Sequence, residues 1–131
     1  MSKIMPFLMY AGQAEEAITF YISLFADGRI THIQRYGPGE PGAEGTVKLA
    51  GFALNGQEFL AIDSNVQHAF TFTPAISLHV TCASAAEVDD LFAKLSAGGQ
   101  VLMPLTRYPF SERYAWVTDR FGVAWQLNLA Q

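Results

Sequence analysis

Few side chains in this sequence can do chemistry, and the most suggestive is His79. It lies in the run Ala75-Ile76-Ser77-Leu78-His79-Val80-Thr81-Cys82. The two-residue period of a strand puts Ala75, Ser77 and His79 on one side and Ile76, Leu78 and Val80 on the other, toward a helix. An imidazole is the side chain most readily poised near neutral pH, so His79 is a candidate general base or a group that orients a ligand carbonyl. A histidine hydrogen-bonded in a polar part of the core is the structural alternative. Near the C-terminus, VAWQLNL (123 to 129) sets Gln126 on one face with Ala124 and Asn128, and Trp125, Leu127 and Leu129 on the other. The two amides can read a polar ligand, although any buried amide needs hydrogen-bond partners regardless of function.

The segment from Tyr108 to Trp116 concentrates aromatic side chains beside Arg107, Glu112 and Arg113. Read as a loop, it would line a pocket mouth with Trp116. Its arginines would pair an anionic ligand or form a solvated surface cluster with Glu112. Asp63 ends a strand, where it can cap the following turn. Cys82, the single cysteine, sits at the end of an apolar strand as a small buried side chain. His32 and His68 have no carboxylate or second histidine at a metal-binding spacing. The stretch GPGEPGAEG (37 to 45) is rich in glycine but precedes an alternating strand, whereas a phosphate-cradling loop leads into a helix N-terminus.

These residues are positioned by a unit written twice. Residues 13 to 26 place Ala14, Ala17, Ile18, Tyr21 and Phe25 on one helical face, with Glu15 and Glu16 in the first turn and Gly28 beyond the end. A second helix over about 84 to 97 repeats the spacing with Val88, Leu91, Phe92 and Leu95. Ser84-Ala85-Ala86-Glu87 supplies a capping box at its start, worth about 1 kcal/mol, and Gly98-Gly99 stops it. One extended run precedes each helix (7 to 10; 75 to 82) and three follow it (29 to 36, 46 to 54, 57 to 63; 100 to 105, 113 to 119, 123 to 129). The order is therefore βαβββ twice. Asn55-Gly56 predicts a type I′ hairpin between the third and fourth strands, and Asp119 to Gly122 makes the corresponding turn in the second half. Residues 65 to 74 link the modules.

Composition bounds the function classes. At 131 residues, 50% hydrophobic and 15% charged, the chain has the makings of one well-packed domain. Ten Phe, five Tyr and two Trp suit either an aromatic core or the walls of an apolar pocket. A net charge of −4 with eight scattered basic residues offers no footprint for nucleic acid. No apolar run approaches the roughly 18 residues of a membrane span, and the first residues lack a signal-peptide layout, so a cytoplasmic location is expected.

In order, PFLMYAG, the helix AEEAITFYISLF, GQEFLAIDS, ISLHVTCAS and the closing DRFGVAWQL resemble the PhnB-like family of the vicinal oxygen chelate superfamily. That superfamily includes glyoxalases, bleomycin-resistance proteins and ring-cleaving dioxygenases. The resemblance covers nearly the whole chain and implies an α+β fold. One domain over residues 1–131, with module one at 1–64 and module two at 74–131, would form a curved mixed sheet around a cavity. It also implies metal ligands, usually His and Glu, on the first, fourth, fifth and eighth strands. Those positions fall on Pro6, Leu60, Ala75 and Gln126, of which only the Gln amide has a donor atom, so neither metal nor cofactor is expected. Around such a cavity Leu60, Ser77, Trp116, Gln126 and Asn128 become ligand-binding candidates with His79 as the catalytic one, and the alignment turns Leu8 and Tyr10 toward it. The expected function is binding of a small molecule, or metal-independent catalysis on one, by a homodimer whose paired chains cover open sheet edges. Two alternatives stay open: a metal-dependent lyase, isomerase or dioxygenase using His79, Asp63 and Glu58, and a drug-sequestering protein without chemistry. The family is often labelled demethylubiquinone methyltransferase. The chain has no glycine-rich strand-to-helix turn of the kind that ordinarily holds a nucleotide-type cofactor.

Overall fold

The computed structural model describes residues 1–131, which form two compact units, Met1–His68 and Ala69–Gln131. The first contains β1 (Phe7–Tyr10), α1 (Ala14–Leu24), β2 (Gly28–Arg35), β3 (Val47–Leu54) and β4 (Gln57–Asp63). The second contains β5 (Leu78–Cys82), α2 (Ala85–Ser96), β6 (Gln100–Tyr108), β7 (Ser111–Thr118) and β8 (Ala124–Leu129). Each unit has its own four-stranded mixed sheet, ordered β1-β4-β3-β2 and β5-β8-β7-β6. In each, the first strand runs parallel to the last, and the other pairs are antiparallel. The repeated βαβββ order and the α+β class are as the sequence predicts.

Each helix packs its apolar stripe on one face of its own sheet. Ala14, Ala17, Ile18 and Tyr21 of α1 are fully buried, as are Val88 and Leu95 of α2. They meet the strand residues of matching parity, including Phe52, Phe59 and Ala61 in the first unit and Ala115, Val117, Trp125 and Leu127 in the second. Removing one of the larger of these side chains, such as Ile18, Leu95 or Phe52, from water stabilises by about 1.5–3 kcal/mol. An exposed ion pair ties sheet to helix in both units, Arg35 to Glu15 at 2.6 Å and Arg113 to Asp89 at 2.5 Å.

The turns follow their residue types. Asn55 and Gly56 both have positive φ, 48° and 90°, as the type I′ hairpin requires. In the second unit Gly122 has φ 95° and donates to the Asp119 carbonyl, closing the equivalent turn. Two boundaries differ from expectation. β5 begins at Leu78, so Ala75 and Ser77 precede the strand. Residues 108 to 116 are not a loop, because β6 and β7 extend through them and only Pro109 and Phe110 form the connection. The strand-rich alternation of Arg113 to Val117 continues backwards as far as Ser111, and Tyr108 pairs with Ser111. No helix is long and apolar enough to cross a membrane.

Candidate functional site

In the second unit the face turned away from α2 brings the predicted polar residues into register. His79 on β5 pairs with Gln126 on β8, Gln126 pairs with Trp116 on β7, and Trp116 pairs with Met103 on β6. One residue pair further along, Thr81, Asn128 and Tyr114 form the next row. Directly opposed side chains on a sheet lie about 4.5–5.5 Å apart at Cβ, so these rows are contact neighbours. Leu78, Val80, Trp125 and Leu127, of opposite parity, belong to the face that α2 covers. His79 and Thr81 are exposed, Gln126, Asn128 and Trp116 are half-buried, and Tyr114 is buried.

Hydrogen bonding makes this face unusual. The Tyr114 hydroxyl donates to Gln126 Oε1 at 2.8 Å, which holds the amide oxygen in place. Burial, and secondarily Tyr108, push the Tyr114 phenol upward from its ordinary value, so it stays a neutral donor. Trp116 Nε1 and Asn128 Oδ1 are buried without a hydrogen-bond partner. Such an unmet group costs about 1–3 kcal/mol. A donor and an acceptor are thus left unmet on neighbouring strands of one face.

At the hairpin end the face runs into an aromatic cluster. Phe110 stacks on Tyr108 at 5.4 Å between ring centroids, and both meet Tyr114 edge-on, at 4.9 and 5.6 Å. Beside it lies an open depression of about 610 Å³ bordered by Arg107, Phe110 and Glu112. Arg107 and Glu112 pair with each other at 3.4 Å in an exposed position. Arg113 points to the helix side, toward Asp89. The face itself carries no unpaired cation.

Sequence reasoning placed His79, Gln126, Asn128 and Trp116 together and missed Tyr114, although the alternation that exposes Trp116 includes it. Ser77 lies just before β5 and is half-buried. Tyr10 requires a correction. It is 4% exposed and its hydroxyl lies 3.3 Å from that of Tyr21 on α1, so Tyr10 and Leu8 face the helix in the core of the first unit. The reason is register: β1 starts at Phe7, which pairs with Leu60, and the open-face residues of β1 are Phe7 and Met9. Leu60 therefore faces away from α1, in the first unit.

The metal positions of the fold do not fit an ion. Pro6, Leu60 and Ala75, the positions that the resemblance implies together with Gln126, have no side-chain donor atom, and Gln126 supplies one neutral amide; moving to the register partners Phe7 and His79 adds only one imidazole. The alternative ligands fare no better. On β4, Glu58 and Asp63 point to opposite faces. Glu58 pairs with Lys3, whose hydrogen bond is the main reason its carboxyl lies below the usual range. Asp63 is buried and spent on backbone: Oδ1 accepts from the Gly12 and Ala14 N–H groups at 2.8 and 3.0 Å, and Oδ2 from Val47 at 2.8 Å. No group of three or more His, Cys, Asp or Glu side chains could hold a metal ion. Cys82 is fully buried and its thiol is pushed up to about 11, mainly by desolvation, so it is no nucleophile.

Comparison with known proteins agrees with the architecture. The family model described as 3-demethylubiquinone-9 3-methyltransferase matches residues 2–128. A PhnB protein from Bacillus cereus is 56% identical over 98% of this chain and 100% of its own, with a TM-score of 0.97. Protein PA1353 from Pseudomonas aeruginosa is 28% identical over 100% and 99%, with a TM-score of 0.87. A glyoxalase/bleomycin resistance protein/dioxygenase domain from Frankia shares the fold at 16% identity over 100% and 93%, with a TM-score of 0.69. No curated protein matches the chain. The chain belongs to the PhnB-like family, whose model is described as 3-demethylubiquinone-9 3-methyltransferase, and it has the fold of the glyoxalase/bleomycin resistance protein/dioxygenase domain.

Proposed function

We propose that this chain binds a small organic molecule on the face of the β5-β8-β7-β6 sheet turned away from α2, without a metal ion. The observation that carries the reading is the row His79, Gln126, Trp116, held in register on three adjacent strands with unmet hydrogen-bonding atoms beside it. His79 orients the ligand or exchanges a proton with it, Gln126 and Asn128 supply amide contacts, and Trp116 supplies a flat apolar surface. Methyl transfer, the reaction in the family description, is not favoured by the residues: neither helix follows a glycine-rich turn, and no thiol or carboxylate is free to assist on this face.

We also propose a homodimer. Support comes from large apolar side chains left on the surface of one chain, with Phe7 54% and Ile76 75% exposed. Native mass spectrometry of freshly purified protein tests both points. A mass of two chains carrying an organic adduct, with the adduct lost in His79→Ala and Gln126→Leu variants, is the expected outcome. One divalent ion per chain would overturn the metal-free reading, and a monomer at micromolar concentration would overturn the dimer.

A further inference from the structure

We infer that the ligand of this face is an uncharged planar molecule that carries a hydrogen-bond acceptor and a donor on one edge, such as a lactam or a hydroxy-carbonyl on an aromatic ring. The inference rests on the binding role proposed above and adds the chemical class.

Three observations carry it. The first is the unmet pair. Trp116 Nε1 can only donate, and Asn128 Oδ1 can only accept. They belong to neighbouring rows of adjacent strands, because Trp116 pairs with Gln126 and Asn128 pairs with Tyr114. Such diagonal neighbours are within reach of one small rigid molecule. Interchanging the amide atoms of Asn128 would turn its acceptor into a donor but would leave the indole N–H unmet. Both residues are half-buried while these atoms are enclosed, so the ligand engages them with a small rotation of either side chain.

The second observation is charge. Arg113 is engaged with Asp89 on the helix side, and the Arg107–Glu112 pair at the hairpin end is neutral as a unit. No arginine or lysine on the face is left to pair a ligand carboxylate or phosphate, and the one group there that can carry a positive charge is His79, at the exposed β5 end of the row. The third is shape. The face carries the half-buried Trp116 side chain and ends at the stacked Tyr108 and Phe110 rings against Tyr114, an arrangement suited to flat, apolar-bodied molecules.

The test uses three probes of similar size on the intact protein: 2-quinolinone, a neutral lactam; quinoline-2-carboxylate, an anion; and naphthalene, which has no polar atoms. Binding is read from the two indole N–H resonances in ¹H–¹⁵N correlation spectra. Trp125, whose indole donates to buried Asp119 at 2.9 Å, is the internal reference. The lactam is expected to bind about tenfold more tightly than either other probe and to shift the Trp116 resonance while leaving that of Trp125 in place. Asn128→Leu is expected to remove that tenfold preference without changing naphthalene binding. Carboxylate binding as tight as the lactam, or lactam binding that leaves Trp116 unmoved, would overturn the assigned class while sparing the binding face. Failure of all three probes to perturb His79, Trp116 and Gln126 would overturn the binding role together with the class built on it.

Discussion

The two helices begin in different ways, and the difference separates what the repeat needs for folding from what it leaves free for function. At α2 the cap is local: Ser84 Oγ accepts from the Glu87 N–H at 3.2 Å, and Glu87 Oε1 accepts from the Ala83 N–H at 2.9 Å. At α1 the N-cap residue Gln13 makes no side-chain cap bond. Its role is taken by Asp63, 49 residues away from Ala14, which reaches from the end of β4. In the second unit the chain's other buried aspartate, Asp119, serves the β7–β8 turn instead. It accepts from the Phe121 and Val123 N–H groups and from the Trp125 indole. One carboxylate per unit is thus committed to backbone, by different wiring.

The open faces diverge as well. The row that reads His79, Gln126, Trp116, Met103 in the second unit reads Phe7, Leu60, Gly51, His32 in the first. Where the second unit carries an indole, the first has a glycine, and the His32 ring lies over it so closely that a methyl group at Gly51 would collide with the ring. Polar side chains are therefore concentrated on the open face of one of two similar scaffolds.

Substitutions in the two units separate the remote cap from the local one. The largest effect is expected from the two aspartates. Asp63→Ala leaves two buried donors and one part-buried donor unmet and Asp119→Ala leaves three buried donors unmet, and each is expected to lower stability by about 3–5 kcal/mol in chemical denaturation. A loss below 1 kcal/mol at either would contradict the capping roles. Next come Gly28 and Gly99, which follow the two helices. A methyl group there would meet backbone, of Ile22 and of Thr118 respectively, so alanine at either is expected to cost about 2–3 kcal/mol. Gly51→Ala meets only movable side-chain atoms, the ring of exposed His32 and the hydroxyl of exposed Thr31, and is expected to cost less than about 1 kcal/mol.

Removing the local cap with Ser84→Ala is expected to cost about 1 kcal/mol, less than removal of the remote one. The smallest effect belongs to the exposed Arg35–Glu15 pair. The hydrogen bond from Arg35 holds the Glu15 carboxyl below its ordinary value of 4.5. Because the folded-state value is the lower one, the contribution is present above the ordinary carboxylate range and is lost as pH falls through the folded value. Glu15→Gln should therefore shift the midpoint slightly near neutrality, and not at all in strong acid or high salt. Cys82 offers a separate check: at pH 8 it is expected to react with a thiol reagent about a hundredfold more slowly than a free cysteine, until the protein unfolds.

Local signals made most of the fold legible. The helical spacing of Ala14 to Tyr21 and Val88 to Leu95, the Ser84 capping box and the Asn55-Gly56 turn are written within a few residues of where they act. The Asp63 cap was not legible, because it joins β4 to the start of α1 and Asp63 looks like an ordinary strand-end carboxylate. Tyr10 was assigned to the wrong face because an alternation pattern fixes which residues share a side but not which side is covered, and a one-residue shift in β1 exchanges the two. The β6–β7 hairpin was mistaken for a loop because its Pro and Ser residues mask the pairing of an edge strand, where proline is tolerated. For the site, alternation groups Gln126 with Asn128 and His79 with Ser77, whereas Trp116 was read in a loop, and the row that joins His79, Gln126 and Trp116 depends on the pairing of three strands. The unmet indole and amide atoms depend on three-dimensional enclosure that no sequence pattern encodes.

The most direct test of the central claim is a fragment screen on uniformly ¹⁵N-labelled protein, using neutral aromatic fragments and mapping the perturbed resonances. Saturable perturbations centred on His79, Trp116, Gln126 and Asn128, and abolished in Gln126→Leu, are the expected result. Perturbations centred instead on Phe7 and Leu60, or confined to the depression beside Phe110, would contradict the assignment of the binding face.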